Sequence, residues 1–335
     1  MLAELGALHS QIVPGELRSA QDSDQPGFLG ARLEREAGGY RIAHIFRTDP
    51  ELPSERGPLA RPGVDAKEGD LITAVNGWPA LEADDIAQLL TNQAGQQMLL
   101  TLKRGDREVK TIVTAVDARR NASLRYSDWE EERRAKVLAA GNGRIGYLHL
   151  RAMQADDIAT FAREFYAQFD REGLIIDVRR NNGGNIDSWV IEKLLRRAWA
   201  YWQPRQGKRR GPNMQQSFRG HLAVLIDEQT YSDGETFAAG IKALKLAPLI
   251  GRRTAGAGVW LNDDNRLVDR GMARVAQDAQ FATDTGEWLI EGKGVEPDIE
   301  IENPPNATFK GGDAQLDAAV KLLLDRLQTD PVKPL

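Results

Sequence analysis

The sequence predicts an α/β core built on a mainly parallel sheet, with a separate β-rich domain inserted in it or preceding it. Three observations predict this. From Gly143 onward strands alternate with helices, and the strands GLIIDVR and HLAVLID are near-continuous apolar runs, the pattern of strands covered on both faces. Between Gly27 and Val116 the elements are short strands with one amphipathic helix, enough for a compact unit of its own. The length, 335 residues, suits two or three domains at roughly 100–200 residues each.

The first ten residues read as a short helix that begins abruptly, so the chain is expected to be the C-terminal portion of something longer. Residues 14–26, rich in Gly, Pro, Asp and Ser, read as a linker or surface loop. The β-rich unit opens with strands over 27–34 and 40–46, turning at Gly38-Gly39. A loop carrying Pro50, Pro53, Pro58 and Pro62 leads to EGDLITAVNG, a mostly buried strand ending in the turn pair Asn76-Gly77. A helix follows over 83–93, with Ile86, Leu89 and Leu90 on one face. Two strands meeting at Gly105-Asp106 close the unit.

A charged connector, 128–136, is expected to be helical. The core then runs as strand 143–150, helix 155–169, strand 173–179, helix 186–202, strand 221–227, helix 235–245 and strand 246–251, with further short strands before a terminal helix over 314–327. No period of 20–50 residues is present, which excludes a solenoid or propeller within this chain.

Composition narrows the chemistry. There is no cysteine, hence no disulfide, thiolate zinc site, iron–sulfur cluster or cysteine nucleophile. The four histidines are His9, His44, His149 and His221. A formal net charge of −5 argues against a dedicated nucleic-acid binder. No run of 18 apolar residues exists, so no transmembrane helix is written here, and the N-terminus lacks the basic and apolar regions of a secretory signal.

Three segments can carry chemistry. In HLAVLIDEQTYSDGETF a buried strand passes through Tyr231-Ser232-Asp233-Gly234 directly into a helix. Such a turn lifts Ser232 to the mouth of the sheet and leaves the amides of Asp233 and Gly234 at a helix N-terminus, where they favour developing negative charge. That suits a serine nucleophile. The same S-D-G-E run is a capping box with Glu235, and the two roles are compatible. In DVRRNNGGN, Gly183 and Gly184 let the backbone approach a ligand and aim N–H groups at it, or simply make a tight turn. GRRTAGAG lacks the Lys-Ser/Thr pair of a phosphate loop, so it is not read as a nucleotide site.

Taken together and in this order, YSDGE, DVRRNNGG and GRRTAGAG resemble the tail-specific and tricorn-type serine peptidases, and EGDLITAVNG with its following helix resembles the PDZ domains of microbial proteases. The likeness covers essentially residues 1–330. It implies a ClpP/crotonase-like α/β core. The layout would be a truncated first core piece over 1–20, a PDZ-like domain over 27–117 and a serine-peptidase core over 122–330. It also implies that the propeller domains and most of the first core piece of the family lie outside this sequence.

The resemblance assigns residues as well. Tail-specific peptidases place a lysine base in T-x-G-K-G. Here that position is Ala257, so a Ser–His arrangement must replace it if the protein is an enzyme, and the tricorn-type position falls on His9 in ELGALH. The family glutamate that orients it falls on Glu291 in WLIEGKGVEPDIEI, with Glu287 and Glu296 as fallbacks. The family serine immediately before the histidine is Leu8 here, while Ser10 follows. Either Glu291 reaches His9 more directly, Ser10 substitutes, or the relay is impaired. The oxyanion donors carried over are the N–H of Asp233 and one from the Gly183-Gly184 turn.

Two weaker candidates remain. Phe28-Leu29-Gly30 resembles a PDZ carboxylate-binding loop, which either takes a peptide C-terminus or serves architecture. The basic run Arg205, Lys208, Arg209, Arg210, with Arg219, either holds a peptide carboxylate or is a solvated loop. The expected function is hydrolysis of oligopeptides by a Ser-His-Glu serine endopeptidase through an acyl-enzyme, with no metal or cofactor. A catalytically impaired PDZ-containing peptide-binding fragment, or a fragment inactive without its N-terminal domains, is the alternative. By resemblance the protein is a cytoplasmic homo-oligomer, a hexamer, contacting neither nucleic acid nor membrane. A periplasmic location would follow if a leader preceded this segment.

Overall fold

In the computed structural model of the chain, residues 4, 6–16, 24–207, 210–261 and 264–333 are described. They fall into two compact units, one made of residues 1–18 with 134–335, the other of residues 19–133. Strand β1 (Gln11–Val13) belongs to the first unit. The chain then builds the second: β2 (Ala31–Glu36), β3 (Gly39–Ile45), β4 (Leu71–Val75), β5 (Trp78–Pro79), α1 (Ile86–Leu90), β6 (Gln97–Arg104) and β7 (Arg107–Thr114). These strands pair antiparallel in the order β2-β3-β4-β6-β7, with β5 on β4. Alternation along β6 puts Met98, Leu100 and Leu102 inward, where they pack with Ile42, Ile72, Ile86, Leu90 and Val113. The helix α1 is shorter than its apolar spacing predicts. Asp85 caps it by accepting from Ala87 N–H, and extended backbone at Thr91 ends it. The proline-rich loop contributes two short 3₁₀ turns, at Pro53–Glu55 and Pro58–Ala60.

Helix α2 (Ala118–Ala140), longer than the charged run alone predicts, carries the chain onward. The core unit continues as β8 (Ile145–His149), α3 (Ala155–Tyr166), β9 (Gly173–Asp177), α4 (Asp187–Leu195), β10 (Tyr201–Trp202), β11 (Gly211–Pro212), β12 (His221–Ile226), α5 (Asp233–Ala243) and β13 (Leu249–Gly251). After it come β14 (Val259–Leu261), β15 (Met272–Arg274), β16 (Ala276–Ala279), β17 (Ile299–Glu300), α6 (Pro305–Phe309) and α7 (Ala314–Thr329). Five strands form one sheet in the order β17-β13-β12-β9-β8, and every pairing in it is parallel.

The apolar strands are explained by what covers them. Leu174 and Ile176 of β9, with Val224 and Ile226 of β12, face Phe161, Phe165, Val190, Phe237 and Ile241 from α3, α4 and α5. Their alternate neighbours Ile175, Ala223 and Leu225 face Leu316, Ala319, Val320 and Leu323 on the stripe of α7. A parallel sheet covered by helices on both faces leaves its strand C-termini as the natural place for a site.

Two expectations are corrected. Residues 6–10 form a turn, with Ser10 N–H donating to Ala7 C=O at 3.1 Å, because Gly6 adopts φ 68° and breaks the right-handed path. The chain then enters β1, which pairs antiparallel with β15. The helix expected over 186–202 stops at Leu195, where Arg196 turns extended, and Tyr201-Trp202 pairs instead with Gly211-Pro212. Residues 17–23 of the expected linker lie outside the described residues.

At the end of β9 sits a buried ionic network. Arg179, 2% exposed, spans Asp177 at 2.7 Å and Asp313 at 2.8 Å, and Asp177 also receives the Tyr147 hydroxyl at 2.9 Å. Burial alone would push the Asp177 carboxyl up, but the Arg179 guanidinium and His149 outweigh it and hold the group well below the carboxylate range. Removing the cation leaves two buried carboxylates facing each other. Arg179→Ala is expected to cost about 3–5 kcal/mol, read as a lowered urea midpoint in tryptophan fluorescence.

Candidate active site

Ser232 lies in the tight link between β12 and α5, as the residue that caps α5. Its backbone is at φ 55°, ψ −122°, a region disfavoured for an L-residue that costs on the order of 1–3 kcal/mol. Such a strained strand-to-helix turn presents a side chain at the top of the sheet. The surrounding chain holds it there. Tyr231 N–H donates to Asn181 C=O at 2.9 Å, and Ala255 N–H donates to Thr230 C=O at 3.1 Å.

Glu235 is the strongest of these ties. It is fully buried, and it accepts from Ser232 N–H (3.1 Å), Thr254 Oγ1 (2.5 Å), Gly256 N–H (2.6 Å) and Ala257 N–H (2.8 Å). The capping-box pattern points to the first of these bonds. The other three come from the GRRTAGAG turn, which the local motif does not announce.

The Gly183-Gly184 turn comes against Ser232. A Cβ on Gly183, which sits at φ 78°, would overlap Ser232 Cβ and lie 2.9 Å from its Oγ and 3.0 Å from Asp233 N. Gly183 N–H is already taken by Asn181 Oδ1 at 2.8 Å. Gly184 flanks a parallel bridge in which Met153 N–H donates to Gly183 C=O and Asn185 N–H to Met153 C=O, so the Gly184 N–H lies on the other edge. Among the described residues neither the Gly184 N–H nor the Asp233 N–H has an acceptor. The Asp233 side chain is fully buried, with Oδ2 accepting from Ile186 N–H at 2.8 Å and Asp187 N–H at 3.1 Å.

From the opposite end of the chain, His9 is brought to this turn. Its ring centroid is 4.7 Å from that of Tyr231, the residue before Ser232. Burial pulls His9 below the ordinary imidazole value; Glu291 opposes that shift and Arg274 adds to it. Glu291 accepts from Leu8 N–H at 3.3 Å through one oxygen, and from Gly258 N–H (2.7 Å) and Val259 N–H (2.8 Å) through the other. His9 Nδ1 has no hydrogen-bond partner among the described residues. The fallback carboxylates are elsewhere: Glu296 faces Arg253 at 3.8 Å, and Glu287 is exposed.

The other histidines are accounted for away from Ser232. Both ring nitrogens of His44 face carboxylates, Glu68 at 2.9 Å and Asp128 at 2.8 Å. His149 is buried 3.8 Å from Asp177, and His221 Nε2 meets Asp330 C=O at 2.7 Å. Of the basic run, Arg210 and Arg219 line a cleft of about 710 Å³ at the start of β12, the end of that strand remote from Ser232. Arg205 is exposed, and Lys208 and Arg209 lie outside the described residues. In the β-rich unit, Phe28 N–H is taken by Val116 C=O at 2.8 Å, Leu29 is buried, and Pro58 and Leu124 pack against Gly30.

Residues 144–301 match the profile of Peptidase family S41, and residues 27–118 match that of the Tricorn protease PDZ domain. The chain belongs to the tricorn protease family. Tricorn protease homolog 1 of Streptomyces coelicolor is 37% identical over 98% of this chain and 31% of its own length. The tricorn protease homolog of Saccharolobus solfataricus is 35% identical over 95% of this chain and 30% of its own. The crystal structure of the tricorn protease superposes with a TM-score of 0.88 at 30% identity, over 96% of this chain and 31% of that one. The chain therefore spans about a third of the length of the tricorn relatives it matches. The PDZ match covers the strands of the β-rich unit, and the S41 match covers the five strands of the parallel sheet. No helix of the described residues is long and apolar enough to cross a membrane.

The contact between Gly183 and Ser232 gives a direct test. Gly183→Ala is expected to leave the far-ultraviolet circular dichroism unchanged and to reduce fluorophosphonate labelling of Ser232 by about 100-fold, a loss of the size that displacing catalytic groups produces.

Proposed function

We propose that the chain is the catalytic portion of a serine endopeptidase that hydrolyses oligopeptides through an acyl-enzyme. The observation that carries this is the seating of His9 on Tyr231, beside a serine held in strained backbone, with Glu291 bonded to the residue before His9. Ser232 Oγ attacks the peptide carbonyl. His9 takes the hydroxyl proton and returns it to the leaving amine. The N–H groups of Asp233 and Gly184 receive the oxyanion, while Gly183 supplies the close approach that brings the second turn to the serine. Glu291 acts on His9 through its field, because its oxygens are engaged by the amides of Leu8, Gly258 and Val259.

A second reading has an observation of its own. With Leu8 in place of the family serine, His9 Nδ1 is left without a hydrogen bond, which favours a peptide-binding fragment of reduced activity, or one that needs its N-terminal domains. The PDZ loop is assigned an architectural role, since the Phe28 N–H and the flank of Gly30 are already occupied.

The resemblance carries a cytoplasmic homo-oligomer, a hexamer, into this proposal. Exposed aromatic side chains support the association: Trp199 and Trp202 around β10, and Phe281 with Trp288 after β16. Size-exclusion chromatography with light scattering is expected to give a multiple of the 37.1 kDa chain.

Active-site labelling tests the chemistry. A fluorophosphonate should label the wild type, lose Ser232→Ala entirely, and label His9→Ala at least about 100-fold more slowly. Label persisting in Ser232→Ala sinks the assignment. Because His9 titrates below its ordinary value, it stays neutral and able to accept a proton at neutral pH, and the acid limb of the rate is expected below about pH 6.5. Glu291→Gln removes the charge that opposes this shift, and should move the acid limb lower still.

A further inference from the structure

The Asp233 carboxyl is a buried ionisable group that the proposed mechanism leaves unused. Its backbone N–H is one proposed oxyanion donor, and its side chain reaches across to the segment that carries the other. Oδ2 accepts the N–H groups of Ile186 (2.8 Å) and Asp187 (3.1 Å), the residues that open α4 directly after the Gly183-Gly184 turn. The packing of Gly234 on Asn181 closes the same gap from the other side, since a Cβ there would lie 2.8 Å from Asn181 Oδ1. Oδ1 is buried and without a hydrogen-bond partner among the described residues.

We propose that the Asp233 side chain is a positioning residue that fixes the Gly184 amide against the Asp233 amide by gripping the first turn of α4. This rests on the reading of Ser232 as nucleophile. The grip has a charge problem built into it. Asp187 faces Asp233 from α4. The Asn181–Asn185 turn between them brings no charge, and Glu235 on the same helix is turned toward Thr254, Gly256 and Ala257. Burial first, and then the Asp187 charge, push Asp233 up to about 7. While one proton remains on the pair, Asp233 and Asp187 can share it in a hydrogen bond, which gives Oδ1 a partner. A carboxyl raised in the folded state contributes stability at low pH and loses it as pH rises through its folded value. The grip should therefore loosen above about pH 7.

The test compares Asp233→Ala, Asp233→Asn and Asp187→Asn with the wild type in two readouts. One is the fluorophosphonate labelling rate against pH, and the other is amide hydrogen exchange of the peptide covering 183–190. The expected wild-type rate falls on the alkaline side near pH 7. Asp233→Ala should label about 100-fold more slowly, with faster exchange over 183–190. Asp233→Asn keeps an acceptor for the two amides and a donor toward Asp187, so it should label within a few-fold of the wild type and lose the alkaline limb. Asp187→Asn removes the charge that helps push Asp233 up and can donate to its carboxylate, so it should move that limb to lower pH and make it shallower. If the wild type labels and Asp233→Ala matches it in rate and exchange, this inference is overturned alone. The same holds if Asp233→Asn is as slow as Asp233→Ala. If the wild type does not label at Ser232, the nucleophile reading falls and takes this inference with it.

Discussion

The buried carboxylate of Glu235 is the constraint on which the rest of the site depends. A carboxylate out of water is tolerated only when its lone pairs are met, and here four donors from two segments meet them. One donor is the amide of Ser232, so the strained backbone of the serine is fixed by the same group that folds the 254–257 turn beneath it. Strain on the order of 1–3 kcal/mol persists only where the surroundings over-determine it. Four charge-assisted hydrogen bonds to one buried group are such surroundings.

Around that centre each turn closes on the next. Asn181 accepts from Gly183 N–H through its side chain and from Tyr231 N–H through its carbonyl, so one residue sets both the shape of the glycine turn and the path into Ser232. The two glycines are not equivalent in this lattice. Gly183 has a conformational and steric role against Ser232, and its amide is spent on Asn181. Gly184 keeps its amide clear because the bridge to Met153 uses its neighbours. The polar groups on the facing edges of the two turns are thus sorted into those that hold structure and those without an acceptor among the described residues.

How much of this was legible depended on the range of the interaction. The strands β9 and β12 were readable because helices cover both faces and make them apolar throughout. The Ser232 turn was readable because a strand, a polar turn and a helix follow one another without a gap. Glu235 was not, since S-D-G-E already accounts for a glutamate as a local cap, and nothing nearby points to Thr254. Asp233 was noticed for its amide, while its side chain acts across the gap to α4. The expected helix at the N-terminus failed because Gly6 turns left-handed and β1 finds its partner in β15, far along the chain. The run after Leu195 has ordinary helix propensity, yet pairing of Tyr201-Trp202 with Gly211-Pro212 overrides it.

The substitution at Ala257 shows why such a distant pairing matters. Where the resembling tail-specific peptidases carry a lysine, this chain has a buried alanine whose amide is bound to Glu235. A base in that turn would come from the same local framework as the serine. With alanine there, the base candidate is His9, and its position is set by contacts from outside that framework. Gln11, two residues on, starts the pairing with Arg274, and Leu8, one residue back, is tied to Glu291. Ser232, the proposed nucleophile, is therefore built into the rigid turns at the end of the sheet, while His9, the proposed base, is held by a short strand pairing, the Leu8 amide contact and its ring packing on Tyr231. The placing of His9 against Ser232 therefore depends on what holds residues 6–13 as well as on the sheet that carries the serine.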